Sequence, residues 1–149
     1  MKNRYWILIS IAPIVLFALM VALSPGPEER TAAKFQADRV ELERAAREIL
    51  ALGSTEGVIL PEGWWEAELY QDGVPTVEFS LGSGGFASQT VYWGVNYVPS
   101  NSSFVGFQGQ QWDYWKSQGD GRLYYDPEGD NTCYVKALDE CWYYYEMRF

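Results

Sequence analysis

The sequence predicts an α+β protein. An N-terminal transmembrane helix leads to an amphipathic stalk helix, then to a mostly antiparallel β-meander of six or seven short strands, closed as a curled sheet or a small sandwich. Three observations point there. Residues 6–23 form an almost unbroken apolar run. Residues 28–52 repeat their apolar positions at helical spacing. From Trp64 onward the repeat shortens to two, as in strands with one dry and one wet face. The matching divisions are 1–24 for a cytoplasmic start and anchor, 25–54 for a proline-broken linker and stalk, and 57–149 for an extracytoplasmic β domain.

The apolar run holds 18 residues, interrupted mildly by Ser10 and Pro13. That is near the lower limit for a spanning helix, about 17 residues. Tyr5 and Trp6 stand where an interfacial aromatic anchor would. Lys2 and Arg4 precede the run and Glu28 and Glu29 follow it, so the positive-inside rule puts the N-terminus in the cytoplasm and the rest outside. A cleaved signal peptide shares the basic start and the apolar stretch. Small residues at Ala22 and Ser24 resemble a cleavage site, but Pro25 directly after it opposes cutting. An uncleaved single-pass anchor is therefore the leading reading, and both readings export the β domain.

Ser24-Pro25-Gly26-Pro27 should break the helix at the membrane exit. Pro27 suits the first turn of a new helix, and Glu28 and Glu29 suit its positive end. Gly53-Ser54 supplies the stop. On a helical wheel Phe35, Leu42, Ala45, Ala46, Ile49 and Leu52 share one stripe, with Asp38 the intruder. The stripe of Phe35, Leu42, Ala46 and Ile49 either packs on the β domain or meets a partner helix. Four spacings of i,i+4 pair opposite charges: Lys34 with Asp38, Arg39 with Glu43, Glu43 with Arg47, and Arg44 with Glu48.

In the β region Trp65-Glu66-Ala67-Glu68-Leu69 alternates apolar with acidic residues, and Asp72-Gly73 marks a turn. Val77, Phe79 and Leu81 form the next inward set. Gly82-Ser83-Gly84-Gly85 reads as a flexible loop. Further strands are expected around Val91 to Tyr97, Phe104 to Phe107, Leu123 to Tyr125, Tyr134 to Leu138, and Trp142 to the terminus. With no helical crossovers between them, the pairing should be antiparallel.

The chemistry is mostly defined by exclusion. There is no histidine, so Ser-His-Asp and Cys-His catalysis and histidine-ligated metals are ruled out within this chain. The net charge is −9, and from Gly57 onward thirteen acids face four bases. A domain this acidic repels nucleic acid and anionic lipid and suits a cationic partner or plain solubility. No catalytic residue, cofactor or metal site emerges. Asp126, Glu128, Asp130 and Asn131 share a loop, but their spacing fails the EF-hand pattern and reads as a solvated turn. Glu66, Glu68 and Glu78 project from neighbouring strands. Such a set has the residues of a carboxylate pair for glycosides, although outward acids that solubilise a sheet are far commoner.

Cys133 and Cys141 are the two cysteines. Export favours a disulfide, whereas a two-residue turn at Asp139-Glu140 would put them on opposite faces. A longer turn or a bulge realigns them, so a disulfide and two free thiols both stand. Aromatic residues make up 17% of the chain, more than a small core readily buries. With Trp142 and Tyr144 facing the core, Tyr143 and Tyr145 face out. Together with Tyr134, Trp112 and Trp115 they form the expected binding surface.

The stretch Gly119-Asp120-Gly121, Gly129-Asp130-Asn131, Tyr134-Val135-Lys136 and Trp142-Tyr143-Tyr144-Tyr145-Glu146 resembles small uncharacterised bacterial membrane-anchored envelope proteins with a terminal aromatic strand. The resemblance implies a bacterial source and supplies no activity. Type IV pilins share the hydrophobic-helix-to-β plan, but the apolar run here follows Asn3-Arg4-Tyr5 directly and contains no Glu. The expected function is thus non-enzymatic: a membrane-tethered interaction module outside the cytoplasm, as an accessory subunit of a membrane complex. A glycan- or peptidoglycan-binding domain and a pilin-like subunit are the alternatives. The expected partners are the membrane and a protein or envelope glycan.

Overall fold

The computed structural model describes residues 23–86, 89–99 and 113–149. It is one helix on one face of one sheet. Helix α1 (Pro27–Leu52) precedes strands β1 (Glu66–Tyr70), β2 (Thr76–Phe86), β3 (Gln89–Tyr97), β4 (Trp115–Gln118), β5 (Gly121–Tyr125), β6 (Thr132–Asp139) and β7 (Trp142–Arg148). Among the described residues no helix is long and apolar enough to cross a membrane. The anchor expected at 6–23 falls, but for Leu23, outside the described residues. So do Trp112 and the strand expected around Phe104.

All neighbouring strands are antiparallel, in the order β1-β2-β3-β7-β6-β5-β4. A meander of three and a meander of four therefore join through β7, which inserts between β3 and β6. The last strand of the chain is a central one. A single meander would have put β4 beside β3; instead β4 is an edge.

Helix α1 begins with Pro27 and ends at Gly53, whose left-handed backbone closes the last turn by donating its N–H to Ile49 O at 2.8 Å. Phe35, Leu42, Ala45, Ala46 and Ile49 are completely buried against β2, β3 and β7. Burial of each larger side chain contributes about 2 kcal/mol. The stripe thus packs on the sheet, and the segment expected as a stalk shares a core with the β domain. Leu52 departs from the stripe and is exposed.

Trp142 is the hub of this layer. Its ring lies 5.0 Å from Phe35, 5.9 Å from Phe79 and 4.9 Å from Tyr97. Asp38, the polar intruder, accepts the Trp64 indole N–H at 2.7 Å and also pairs with Lys34. Three of the four expected helix ion pairs form. Arg39 instead reaches Asp139 at 2.6 Å and ties the helix to the β6–β7 hairpin. Lys136 binds Glu28 at 2.8 Å and secures the helix start to β6.

The glycine run 82–85 is strand, not loop. It extends β2 to Phe86, paired with the start of β3. The reason is Trp93. A Cβ on Gly82 would lie 2.6 Å from its indole ring, so the ring lies across bare backbone. Glycine here provides room for a neighbour rather than mobility.

Of the two readings left open for the cysteines, the free thiols hold: Cys133 and Cys141 are not bridged. The turn is Glu140-Cys141, with Asp139 opposite Trp142. Cys133 sits near the other end of β6, opposite Met147. At about 3.3 Å per residue the strand separates them by roughly 20 Å, against the about 7 Å a disulfide spans.

Candidate functional site

The face of the sheet away from α1 is not wet. Tyr124, Cys133, Val135, Tyr143, Tyr145, Met147 and Val98 form a second buried cluster there. The alternation does put Trp142 and Tyr144 towards the helix and Tyr143 and Tyr145 on the other side. Yet Tyr143 and Tyr145 are 5% and 0% exposed, so they are not a binding surface. A central strand is flanked by side chains from both neighbours, and β7 has β3 and β6 beside it. Tyr134 lies half-buried on the helix side, edge-on to Tyr144 at 6.2 Å. Trp115 is exposed on edge strand β4, on the opposite face, with the Arg122 guanidinium 4.3 Å from its ring. The expected aromatic surface is therefore dispersed.

What this face does assemble is the set of carboxylates weighed above. The β1–β2 register sets Glu68 directly opposite Glu78 and Glu66 opposite Ser80. Across β2, Glu78 faces Asn96 and Ser80 faces Gly94. Gly94 in turn faces Tyr145. A Cβ on Gly94 would lie 1.9 Å from Phe79 O and 2.9 Å from the Tyr145 hydroxyl. Its absence lets the Tyr145 side chain cross β3 to meet Ser80 Oγ at 3.0 Å and hydrogen-bond Glu78.

Above these groups lies a cleft of about 220 Å³ lined by Trp65, Glu66, Glu68, Tyr70, Glu78, Ser80, Tyr92, Met147 and Phe149. Tyr92 and Phe149 meet edge to face at 5.8 Å. Phe149 is held there by paired backbone bonds to Thr90 at 3.0 and 3.3 Å. Trp65, Tyr92 and Phe149 are all exposed at the rim. Tyr70 donates its hydroxyl to Glu68.

The floor of the cleft is electrostatically unbalanced. Glu78 is only 7% exposed. Burial, then the Glu68 charge and more weakly the Glu66 charge, push its carboxyl up to about 8, against the opposing hydrogen bond from Tyr145. It is mostly protonated at neutral pH. Its Oε2, and both side-chain polar atoms of Asn96, are buried with no hydrogen-bond partner among the described residues. Burial and the Glu78 charge also drive the Tyr70 and Tyr145 phenols upward. No lysine or arginine lines the cleft among the described residues.

Tyr70, Ser80, Asn96 and Phe149 escaped the sequence reading. Alternation alone puts Tyr70 with Glu66 and Glu68, and Ser80 with Glu78. The missing signal is the register that superposes the two strands. No group of described acids and cysteines is arranged to hold a metal ion. No protein-family model, curated protein or solved structure matches the chain.

Proposed function

We propose that this chain is a membrane-tethered binding module displayed outside the cytoplasm, and that the cleft between β1 and Phe149 is its ligand site. The apolar run 6–23 with its basic start supports the tether and its orientation. In this reading the β domain acts as an accessory subunit, engaging an envelope partner rather than transforming it. One observation carries the site: exposed aromatic side chains of Trp65, Tyr92 and Phe149 surround a polar floor in which Glu78 holds a buried oxygen without a partner among the described residues. Buried polar atoms normally find partners, and a polar ligand group with an apolar body would supply them. Tryptophan fluorescence of the full-length protein tests this against muropeptides, chito-oligosaccharides and polyamines. A saturable change with one of these classes, weakened at least tenfold by Trp65→Ala, is the expected result. No saturable response to any of them overturns the reading.

A further inference from the structure

We infer that the cleft takes an organic ammonium group, such as the end of a lysine side chain or of a polyamine, with its nitrogen placed among Glu66, Glu68 and Glu78 and its alkyl stem against the aromatic rim. This rests on the cleft being a ligand site at all.

Four features select this class. First, three carboxyls line one small cleft, and no lysine or arginine lines it among the described residues. The nearest described charged or titratable groups are Glu66, Glu68 and Tyr70 from β1, Tyr145 from β7 and, more distantly, Cys133 from β6. None is cationic. Second, Glu78 Oε2 is buried without a hydrogen-bond partner among the described residues. An ammonium brings three donors and no acceptor, which matches an unfilled acceptor beside two further carboxylates. Third, Trp65, Tyr70, Tyr92 and Phe149 present ring surface around the carboxyls, and aromatic faces attract an alkylammonium through their quadrupole. Fourth, the acids are not grouped to hold a metal ion among the described residues, which favours an organic cation with one charged end. The surplus of thirteen acids over four bases from Gly57 onward adds long-range attraction for the same charge.

The Glu78 proton makes the event measurable. A carboxyl with its pKa raised to about 8 is mainly protonated at pH 7. An ammonium beside it favours the charged form, so the proton leaves to buffer as the ligand enters. No bond is made or broken beyond this transfer.

Isothermal titration of the full-length protein with cadaverine, 1,5-pentanediol and chito-oligosaccharide at pH 7 is the test. Cadaverine is expected to bind saturably, more weakly at 0.5 M salt, with pentanediol silent. Glu68→Gln, an exposed position that leaves the core intact, should weaken cadaverine at least tenfold. Repeating the titration in two buffers of different ionisation enthalpy should reveal proton release, absent in Glu78→Gln. Chito-oligosaccharide binding without cadaverine binding overturns the ammonium inference and keeps the cleft as a ligand site. Silence from all three probes overturns the ammonium inference and counts against the cleft. Cadaverine binding unchanged in Glu68→Gln and Glu78→Gln overturns the assignment to this cleft.

Discussion

Replacing Glu78 with glutamine should stabilise the fold, and only above mildly acidic pH. The carboxyl moves from an ordinary 4.5 to about 8 on folding. Below pH 4.5 both states hold the proton, and Glu78 costs the fold nothing electrostatic. Between 4.5 and 8 the unfolded chain releases its proton while the folded one keeps it, so stability falls as pH rises. Above 8 both are ionised and the loss is complete. At 1.36 kcal/mol per pH unit the ceiling is about 5 kcal/mol. Water entering the open cleft lowers this, and about 2 to 4 kcal/mol is expected. Glutamine keeps the volume and the acceptor for Tyr145 but has no charge to desolvate. Urea melts of both proteins from pH 4 to 9 should coincide near pH 4 and diverge upward, with the variant more stable at pH 9. The difference between the two curves isolates Glu78 from every other titrating group. Parallel curves across this range would refute the buried, charge-crowded carboxyl.

Four other outcomes follow from the same packing. Gly94→Ala should lower stability by more than 2 kcal/mol in urea melts, because its Cβ would meet Phe79 O at 1.9 Å. Phe35→Ala, at a fully buried site against Trp142, should cost about 3 to 5 kcal/mol and detach α1, read as lost protection of helix amides in hydrogen exchange. Removing residues 145–149 takes away most of the pairing that β7 makes with both β3 and β6 and should abolish cooperative melting. With a thiol reagent the native protein should react at half-buried Cys141 in the β6–β7 turn, and at Cys133 only in denaturant, since Cys133 is fully buried and burial raises its thiol pKa.

The parts of the fold that were legible are those fixed by local periodicity. The stripe of α1 and the faces of Trp142 to Tyr145 follow from spacing alone. The parts that were hidden depend on pairings between distant residues. No local signal says that β7 inserts beside β3, so Tyr143 and Tyr145 looked wet when they are central. Gly82 to Gly85 read as a loop because the reason for the glycines, the Trp93 ring, lies on another strand. Arg39 likewise left Glu43 for Asp139 on a different element. The cleft depends on one residue of register. A two-residue turn at Asp72-Gly73 would set Glu78 opposite Ala67 and divide the carboxylates between the faces. The longer connection between Tyr70 and Thr76 sets it opposite Glu68 instead.

This register has a thermodynamic consequence that bears on function. Glu78 and Asn96 lie side by side, each with buried polar atoms lacking a partner among the described residues. Such atoms cost about 1 to 3 kcal/mol each, and the neighbouring Glu66 and Glu68 charges add to the cost. The Tyr145 hydrogen bond offsets only part of it, and no described lysine or arginine lines the cleft: Lys136 pairs with Glu28, Arg39 with Asp139 and Arg148 with Glu146. A fold under pressure for stability alone gains by placing threonine or glutamine at 78. The two roles for the carboxyl separate cleanly in one variant. If Glu78→Gln is more stable at pH 8 and loses its ammonium ligand, the strain at the cleft floor is the source of binding free energy. If the variant is more stable and binds as before, Glu78 is an electrostatic defect that the fold tolerates, and recognition rests on Glu66, Glu68 and the aromatic rim.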